Sequence, residues 1–345
     1  MKPKRKREIT IYDIASELSV SPSTVSRALK DHYSIGKKMI ENVKRVARER
    51  GYRPNHIAAS LRRNKTNTIG VMISWINRPF ISSLISGIED EASNAGCNVI
   101  ISQSHDLFEH EMANAKALYN SRIGGLIVSL AMETKEYNHF ATFIDNNIPV
   151  VFVDRVSEEL NCDKVVIDNY AAGFMATSHL IEQGCKRIAH FGGAQHQSIY
   201  RQRAEGYLAA LRLNNMEIDE SLIVNSDVLN SEEGHRMAEH VLGLPHPPDG
   251  IFSANDTSAV STIQCAKHKG IKIPQKLAII GFNNDPVSLI IDPTLSTVSH
   301  PAVDMGKVAA RQVLKHRQNK DIVTSETLTL KTKLIIRESS LRKKT

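Results

Sequence analysis

Hydroxyl groups and one arginine are concentrated in a short segment near the start of the sequence, SVSPSTVSRALK, residues 19–30. Ser21 can cap a helix that begins at Pro22, where the missing N–H of proline costs nothing. The inward face of that helix would be formed by Val25, Ala28 and Leu29. The outward face would carry Ser23, Thr24, Ser26 and Arg27. Because hydroxyls and a guanidinium suit phosphate oxygens and base edges, this helix could bind nucleic acid.

Catalytic and metal-binding patterns are missing from the sequence. The segment SWINRPF, after the first predicted strand, lacks the GxGxxG of a nicotinamide-binding turn, and neither a P-loop nor a GxSxG elbow occurs. His105 and His110 would lie about 140° apart on a helix, so we expect them not to share a metal ion. We therefore predict no catalytic residue, no metal site and no cofactor, and the sequence does not indicate an enzyme.

The cysteines and the start of the chain bear on location. Cys97, Cys162, Cys185 and Cys265 stand far apart and form no CxxC pair, which favours reduced thiols. The basic start, MKPKRKREIT, leads into polar sequence, and no run approaches eighteen apolar residues. We expect a cytoplasmic protein with no membrane partner.

Positive charge is confined to the first part of the chain. Residues 1–65 contain 17 Lys and Arg against 6 Asp and Glu, a balance of +11. Because the whole chain carries +7, the remaining 280 residues sum to −4. A basic run at a terminus alone can be a solvated tail. Here the charge continues through a patterned segment, which predicts a small electropositive domain for a phosphate backbone.

Three short helices account for this basic segment. Thr10 can cap the first helix with Asp13 at its third position, and an apolar stripe ends near Leu18. The hydroxyl-rich helix follows after a three-residue turn. A third helix is predicted over roughly 35–50, ending at Gly51. Two helices joined by so short a turn, the second with a small polar face, are typical of a helix-turn-helix that enters the major groove.

Three linked motifs give this segment a family resemblance. TIYDIA, VSPSTVSRAL and GYRPNHIAASL occur in order, and the segment from Ile9 to Leu61 resembles the DNA-binding head of the LacI/GalR (lactose-repressor and galactose-repressor) family. The resemblance implies a helix-turn-helix domain over 1–54, then a hinge helix and linker over 55–66. Ser19 departs from the family, which usually has glycine in the turn. A left-handed conformation there would cost serine about 1 kcal/mol.

The resemblance also implies which residues contact DNA. Arg27 matches the arginine that reads a guanine edge, and Pro22 and Ser23 match positions that vary with the operator. Leu61 matches the leucine inserted between base steps of the minor groove. Two alternatives stay open, in which Ser21 only caps its helix and Leu61 only packs on the next domain. The implied DNA-binding residues are Thr10, Tyr12, Ser21, Pro22, Ser23, Thr24, Ser26, Arg27, Asn55, His56, Ala58, Leu61 and Arg62.

From residue 67 the pattern changes to alternating strands and helices, which predicts a parallel α/β core. Motifs such as VFVDR, IFSANDTSAV and IIGFNND imply by resemblance a periplasmic-binding-protein-like core over 67–345, with two parallel-sheet subdomains sharing a cleft. The chain should cross between them near residues 165, 297 and 325, leaving 301–318 with the first subdomain and the last strands with the second. The predicted strands are 69–73, 98–101, 126–128, 150–153, 165–167, 187–191, 222–224, 250–253 and 278–281.

A small-molecule effector is implied for the cleft. Arg203 matches the family's effector-binding arginine, although it could merely pair with a neighbouring carboxylate. Asn283 stands where many members have aspartate, which would leave Arg203 less compensated and favour an anionic effector such as a sugar phosphate or sugar acid. Asp285 could restore that charge. The implied effector-binding residues are Phe80, Arg203, Val228, Asn255 and Asn283.

These features together indicate a homodimeric transcriptional regulator of the repressor type that binds an operator in double-stranded DNA. Its effector would be a sugar or a sugar derivative. A dimer is expected because one short helix reads too few base pairs. The alternatives are a carbohydrate-binding protein, which the basic head disfavours, and a DNA-binding protein that responds to no ligand.

Overall fold

A computed structural model describes residues 9–52, 67–318 and 325–342. The chain divides into two compact units, Met1–Thr66 and Asn67–Thr345, called here the head and the core. Within the described ranges, no helix is long and apolar enough to cross a lipid bilayer.

The head contains three helices, as the sequence predicted: α1 (Ile11–Glu17), α2 (Pro22–Ala28) and α3 (Lys37–Glu49). Its core is small and apolar, with Ile14, Val25 and Val43 fully buried. The third helix is slightly shorter than predicted, because Gly36 is its N-cap and Arg50 its C-cap. The helical periodicity of apolar residues thus specifies a helix-turn-helix with a closed hydrophobic core.

Hydrogen bonds from short polar side chains set the ends of the first two helices. The carboxylate of Asp13 accepts both the backbone N–H and the hydroxyl of Thr10, each at 2.7 Å. The hydroxyl of Ser21 accepts the backbone N–H of Thr24 at 3.1 Å. Between the helices, Ser19 has φ +53°, so the departure from glycine leaves a strained left-handed residue in the turn, as expected.

The core contains twelve strands among its described residues, and all nine predicted strands are present. They are β1 (Thr68–Ile73), β2 (Asn98–Gln103), β3 (Leu126–Val128), β4 (Val150–Val153), β5 (Asp163–Ile167), β6 (Ile188–Gly192), β7 (Ile223–Asn225), β8 (Gly250–Ser253), β9 (Ala278–Asn283), β10 (Ser296–Ser299), β11 (Thr327–Leu330) and β12 (Leu334–Ile335). The first sheet has the order β11-β5-β4-β3-β1-β2 and is parallel. The second has the order β12-β10-β9-β8-β6-β7 and is parallel except for β12.

Helices cover the faces of both sheets. Those of the first subdomain are α4 (Pro79–Asn94), α5 (Phe108–Asn120), α6 (Ala141–Asp145) and α12 (Ala302–Gln318). Those of the second are α7 (Asn169–Glu182), α8 (Ser198–Leu213), α9 (Ser231–Leu242), α10 (Asp256–His268) and α11 (Val287–Ile290). In both sheets the order reverses beside the first strand, a switch point at whose carboxyl edge ligands bind. The space between the two carboxyl edges is called the cleft below.

Three crossings connect the subdomains, and one was predicted wrongly. The first lies between β5 and α7 and the second between β10 and α12, close to the expected positions. Helix α12 packs on α4 and the first sheet, as expected for residues 301–318. The third crossing lies at 331–333 and not near 325, because β11 pairs with β5 in the first sheet. No glycine or proline in TLTLKTKLII marks the break, so the sequence did not reveal it.

Close packing of α7 and α8 fixes the helix that carries Arg203. A Cβ on Gly206 would lie 2.1 Å from the carbonyl oxygen of Tyr170, and one on Gly173 would lie 2.3 Å from the carbonyl oxygen of Arg203. Only glycine allows this approach. The two helices therefore hold Arg203 in a defined position above the second sheet.

The strained turn of the head gives a first testable prediction. Ser19→Gly should stabilise the head by about 1 kcal/mol, because glycine adopts φ +53° without a Cβ clash. Amide hydrogen exchange of α1 and α2 in the full-length protein should slow about fivefold. Ser16→Gly, at an exposed helical position two residues before the helix C-cap, is the matched control and should speed exchange. Slower exchange in both variants would contradict a strain at Ser19.

Candidate functional site

The candidate DNA-binding surface of the head lies on α2 and the start of α1. Ser23 and Arg27 are exposed on α2, while Pro22, Thr24 and Ser26 are half-buried. Thr10 and Tyr12 are exposed at the start of α1, Tyr12 to 62%. The structure thus brings together on two adjacent helices all implied DNA contacts that it describes. Asn55, His56, Ala58, Leu61 and Arg62 lie outside the described residues.

The hydroxyls at the start of α2 form a small network. The hydroxyl of Ser21 lies 2.7 Å from that of Ser23 and 2.9 Å from that of Thr24, in addition to capping the helix. Capping and phosphate contact are therefore compatible, because a hydroxyl oxygen can accept from the backbone while its proton is donated elsewhere. The network gives α2 a rigid cluster of hydroxyl groups at its N-terminus. In a helix-turn-helix, this end of the second helix contacts the bases in the major groove.

Arg203 is one of two buried arginines among the described residues of the core, together with Arg155. Its side chain is 3% exposed, its Nε donates to Asn169 Oδ1 at 2.9 Å and its Nη1 donates to the carbonyl of Ala254 at 2.9 Å. The guanidinium carbon lies 3.6 Å from the ring centroid of Phe282, a cation–π distance. Burial lowers the pKa of Arg203, opposed by the nearby carboxylate of Asp154. The arginine is thus fixed by the second subdomain and balanced by the first.

Asp154 follows β4 and was not among the predicted site residues. It is 9% exposed, and burial raises its pKa, an effect that Arg203 and Arg155 oppose. His300, between β10 and α12, places its Nε2 3.6 Å from Asp154 Oδ1. Burial lowers the pKa of His300 well below its usual value, with Arg203 acting in the same direction. The cleft therefore contains a carboxylate, a guanidinium and a neutral imidazole.

Phe80 and Asn283 both contact this histidine. The ring of Phe80 stacks on His300 with centroids 4.1 Å apart, and Asn283 Oδ1 lies 3.4 Å from His300 Nδ1. Asn283 also lowers the pKa of the Asp285 carboxyl, against the larger effect of burial, which raises it. Phe80, Asn283, Asp285 and His300 line a cavity of ≈ 240 Å³. Asn283, which stands where many members of the family have aspartate, thus contacts His300 with its amide oxygen.

The other two predicted effector residues lie further along the second sheet. Asn255 caps α10 by accepting the N–H of Ser258 at 2.8 Å, and its Nδ2 donates to the carbonyl of Leu229 at 2.9 Å. Val228, beside Leu229, is 52% exposed. Asn255 directly follows Ala254, which binds Arg203, so this pair adjoins the arginine. The Asn255 amide supports the loop that carries Val228.

A second charged group extends the cleft on the first subdomain. Asp106 accepts Arg155 Nη1 at 2.6 Å and lies 3.5 Å from Arg78 Nη2. Burial would raise the pKa of Asp106, but Arg155 and Arg78 hold it below its usual value. At the same carboxyl edge, Ser74 and Ser129 are 1% exposed, and their hydroxyls have no hydrogen-bond partner among the described residues. Buried polar atoms of this kind suit a hydroxyl-rich ligand.

Sequence reasoning missed Asp154, His300, Ser74 and Ser129, although one signal could have found three of them. Each of Ser74, Ser129 and Asp154 immediately follows a strand of the first parallel sheet. Carboxyl ends of parallel strands meet at the ligand-binding edge, so polar residues directly after those strands are candidates. His300 gave no such signal, because β10 was not predicted.

Two buried carboxyl groups flank the cavity from the second subdomain. Asp256 is fully buried at the start of α10, where it accepts the hydroxyl of Thr297 and the N–H of Asp285, both at 2.7 Å. Burial raises the pKa of Asp256 to about 7 and that of Asp285 to about 6. Both carboxyl groups therefore titrate near neutral pH. The stability of the core depends on pH there, because the folded and unfolded chains bind different numbers of protons.

Comparison with known proteins places this architecture among regulators. The model of "Bacterial regulatory proteins, lacI family" matches residues 10–55, and that of "Periplasmic binding protein-like domain" matches residues 177–340. The HTH-type transcriptional repressor CytR of Escherichia coli (strain K12) is 32% identical over 337 residues, covering 98% of each chain.

Two solved structures are also similar. The regulator CelR in complex with cellobiose has 26% identity and a TM-score of 0.72, over 96% of this chain and 100% of CelR. The Lac repressor dimer bound to operator and the anti-inducer ONPF has 21% identity and a TM-score of 0.86, over 97% of this chain and 100% of that one. At that identity the second comparison shows the fold, which confirms the predicted head and two-sheet core.

The Asp256 carboxyl gives a pH-dependent prediction. Its folded pKa of about 7 lies above the unfolded value near 4, so between about pH 4 and 7 the folded core binds more protons than the unfolded chain. Stability from this group is present at low pH and lost as pH rises, by up to about 1.4 kcal/mol per pH unit. Asp256→Asn should remove that loss, so the variant should gain stability relative to the wild type between pH 5 and 7.5.

Urea unfolding of the core at several pH values measures this effect. Asp145→Asn, which removes one exposed carboxyl on α6, is the control and should run parallel to the wild type. Parallel curves for Asp256→Asn and wild type would show that Asp256 does not take up the proton.

Proposed function

The chain belongs to the lacI family of bacterial regulatory proteins, and on that premise we propose which residues of this DNA-binding transcriptional regulator read DNA and which bind its effector. Membership rests on identity with CytR over 98% of the chain. The proposal for DNA binding rests on the exposed face of α2. Arg27 would read a guanine edge through its free donors, Ser23 would add a second base contact, and the hydroxyls around Ser21 would bind phosphates.

A homodimer is the assembly we propose for operator binding. One α2 helix spans too few base pairs for specific affinity, and two related half-sites restore it. In the core, Leu289 and Ile290 on α11 are 63% and 81% exposed, adjacent apolar residues that suit contact with a second copy. From the sequence alone, we also propose that the hinge residues contact the operator and that Leu61 enters its minor groove.

The cleft is the effector site in this proposal. It combines a donor in Arg203, an acceptor in Asp154, unpartnered hydroxyls at Ser74 and Ser129, and the Nε2 of His300. Sugar hydroxyls both donate and accept, so alternating donors and acceptors suit a sugar. The similarity to CelR, which was solved with cellobiose, supports the same ligand class.

The structure changes the argument about effector charge. An anionic effector was expected because Asn283 would leave Arg203 less compensated, but the buried carboxyl group of Asp154 in the first subdomain acts on the pKa of Arg203 in the opposite direction to burial. Arg155 forms an ion pair with Asp106. Because a carboxyl group of this chain acts on each buried arginine, we propose a neutral sugar and not a sugar phosphate or acid.

A regulatory role, with no catalysis, is also part of the proposal. His300, the imidazole in the cleft, is held neutral by burial and lies beside a carboxylate that Arg203 and Arg155 engage. These groups are suited to hydrogen bonding of a ligand. A cytoplasmic location follows from the DNA-binding role. A free carbohydrate-binding protein would not need the hydroxyl-rich, basic head.

Arg27→Ala tests the DNA-reading residue. Specific affinity for an operator selected by the wild-type protein from random DNA should fall by about 1–3 kcal/mol, because one base contact is lost. Binding to random DNA should fall much less. Arg45→Ala removes an arginine already paired with Glu49 at 2.9 Å and should leave the specificity ratio unchanged. Equal losses on operator and random DNA would exclude Arg27 from base readout.

A ligand panel tests the effector class. Neutral sugars, sugar phosphates and sugar acids would be titrated while the fluorescence of Trp75, the only tryptophan of the chain, is followed. We expect a neutral sugar to bind, and Arg203→Lys to weaken it about tenfold or more, since lysine cannot reproduce the bonds to Asn169 and Ala254. Arg212→Ala, exposed on the same helix, should not change binding. Tight binding of phosphates or acids alone would overturn the neutral-ligand proposal.

A further inference from the structure

A tight turn after β3, residues 131–134, is held in shape by the first subdomain. The N–H of Thr134 donates to the carbonyl of Ala131 at 3.2 Å. The fully buried carboxylate of Glu111 accepts the N–H of Ala131 at 2.5 Å and the hydroxyl of Thr134 at 2.8 Å. The carbonyl oxygens of the turn are therefore presented as a fixed group of acceptors.

The second subdomain binds this group of acceptors. His196 Nε2 donates to the carbonyl of Met132 at 2.6 Å. Gln197 Nε2 lies 3.1 Å from the carbonyls of both Ala131 and Met132, and Gln197 is 4% exposed. Both donors immediately precede α8, the helix that carries Arg203. The bonds thus join the two subdomains beside the cleft.

The side chain of Met132 adds an apolar contact at the same place. It is 4% exposed and belongs to a hydrophobic cluster of the second subdomain that includes Phe191 and Ile199. Its own N–H is held by Asp106 of the first subdomain at 3.1 Å. Separation of the subdomains would break several hydrogen bonds and expose a buried methionine side chain, so it is opposed by both terms.

The contact is linked to the cleft. Asp106, which holds Met132, also binds Arg155, the residue after Asp154. His196 and Gln197 lie one to two turns before Arg203 along α8. The polar contacts therefore run from the cleft through Asp106 and Met132 to the start of α8.

We propose that Met132, His196 and Gln197 form a latch that holds the two subdomains closed over the cleft, and that opening of this latch limits entry to the cleft. The latch is a property of the core and can be tested without knowing the effector or the operator. These residues act by holding the two subdomains together, because the side-chain N–H groups of Gln197 and His196 are bonded to backbone carbonyls.

Thiol labelling of the full-length protein tests the latch. The reporter is Ser129→Cys, placed at a buried position of the cleft edge, with half-buried Cys97 replaced by serine. In this background, Gln197→Leu and Met132→Ala should each raise the labelling rate at position 129 about tenfold, because each removes bonds or apolar burial that oppose opening. Labelling of the native buried Cys185 in the same samples measures global unfolding and should stay unchanged.

Two matched controls separate the latch from a local structural role. Gln195→Leu removes an amide that bonds Gly193 and Asn225 within the second subdomain, so it should leave labelling unchanged. Met132→Leu keeps an apolar side chain of similar volume, so position 129 should be labelled as slowly as in the protein with Met132. If Met132→Ala does not fold, Gln197→Leu carries the test. No acceleration, equal acceleration with Gln195→Leu, or equal acceleration at Cys185 would overturn the latch.

Discussion

The burial of two oppositely charged residue types, Arg203 and Asp154, is the constraint on which the chemistry of the cleft depends. Each charge belongs to a different subdomain, and each is almost inaccessible to water. An isolated charge in such a place is costly, so each group needs hydrogen-bond partners or an opposite charge nearby. The carbonyl of Ala254 and the amide of Asn169 complete the coordination of the guanidinium. The position of the Arg203 side chain, and with it the proposed recognition of a ligand, therefore depends on polar partners in the second subdomain.

Asn283 stands where many members of the family have aspartate, in a backbone segment with positive φ angles. Asn283 and Asn284 have φ of +109° and +58°, and asparagine tolerates positive φ better than most residues. The Asn283 amide can accept from His300 through its oxygen and keeps N–H donors, which a carboxylate does not have. Buried carboxyl groups nevertheless remain near this position, at Asp285 and Asp154.

Most of the fold could be predicted because its signals are local. Buried strands such as VVFV at β4 are continuous apolar runs, and the head has helical periodicity with capping residues at Thr10 and Ser21. The third crossing could not be predicted, since β11 and β12 are separated only by 331–333 and their assignment depends on which sheet edge is open. Arg203 was recognised by its motif, whereas Asp154 and His300 required the sheets to be assembled.

The pairing of β11 with β5 has a consequence for synthesis of the chain. The edge of β5, complete at Ile167, has no partner until residue 327 has been translated. At about 5–20 residues per second, those 160 residues take roughly 8–32 s, long compared with the folding of individual helices and hairpins. The outer edge of β5 therefore cannot be paired within the chain until then, and for that period it is open to edge-to-edge association.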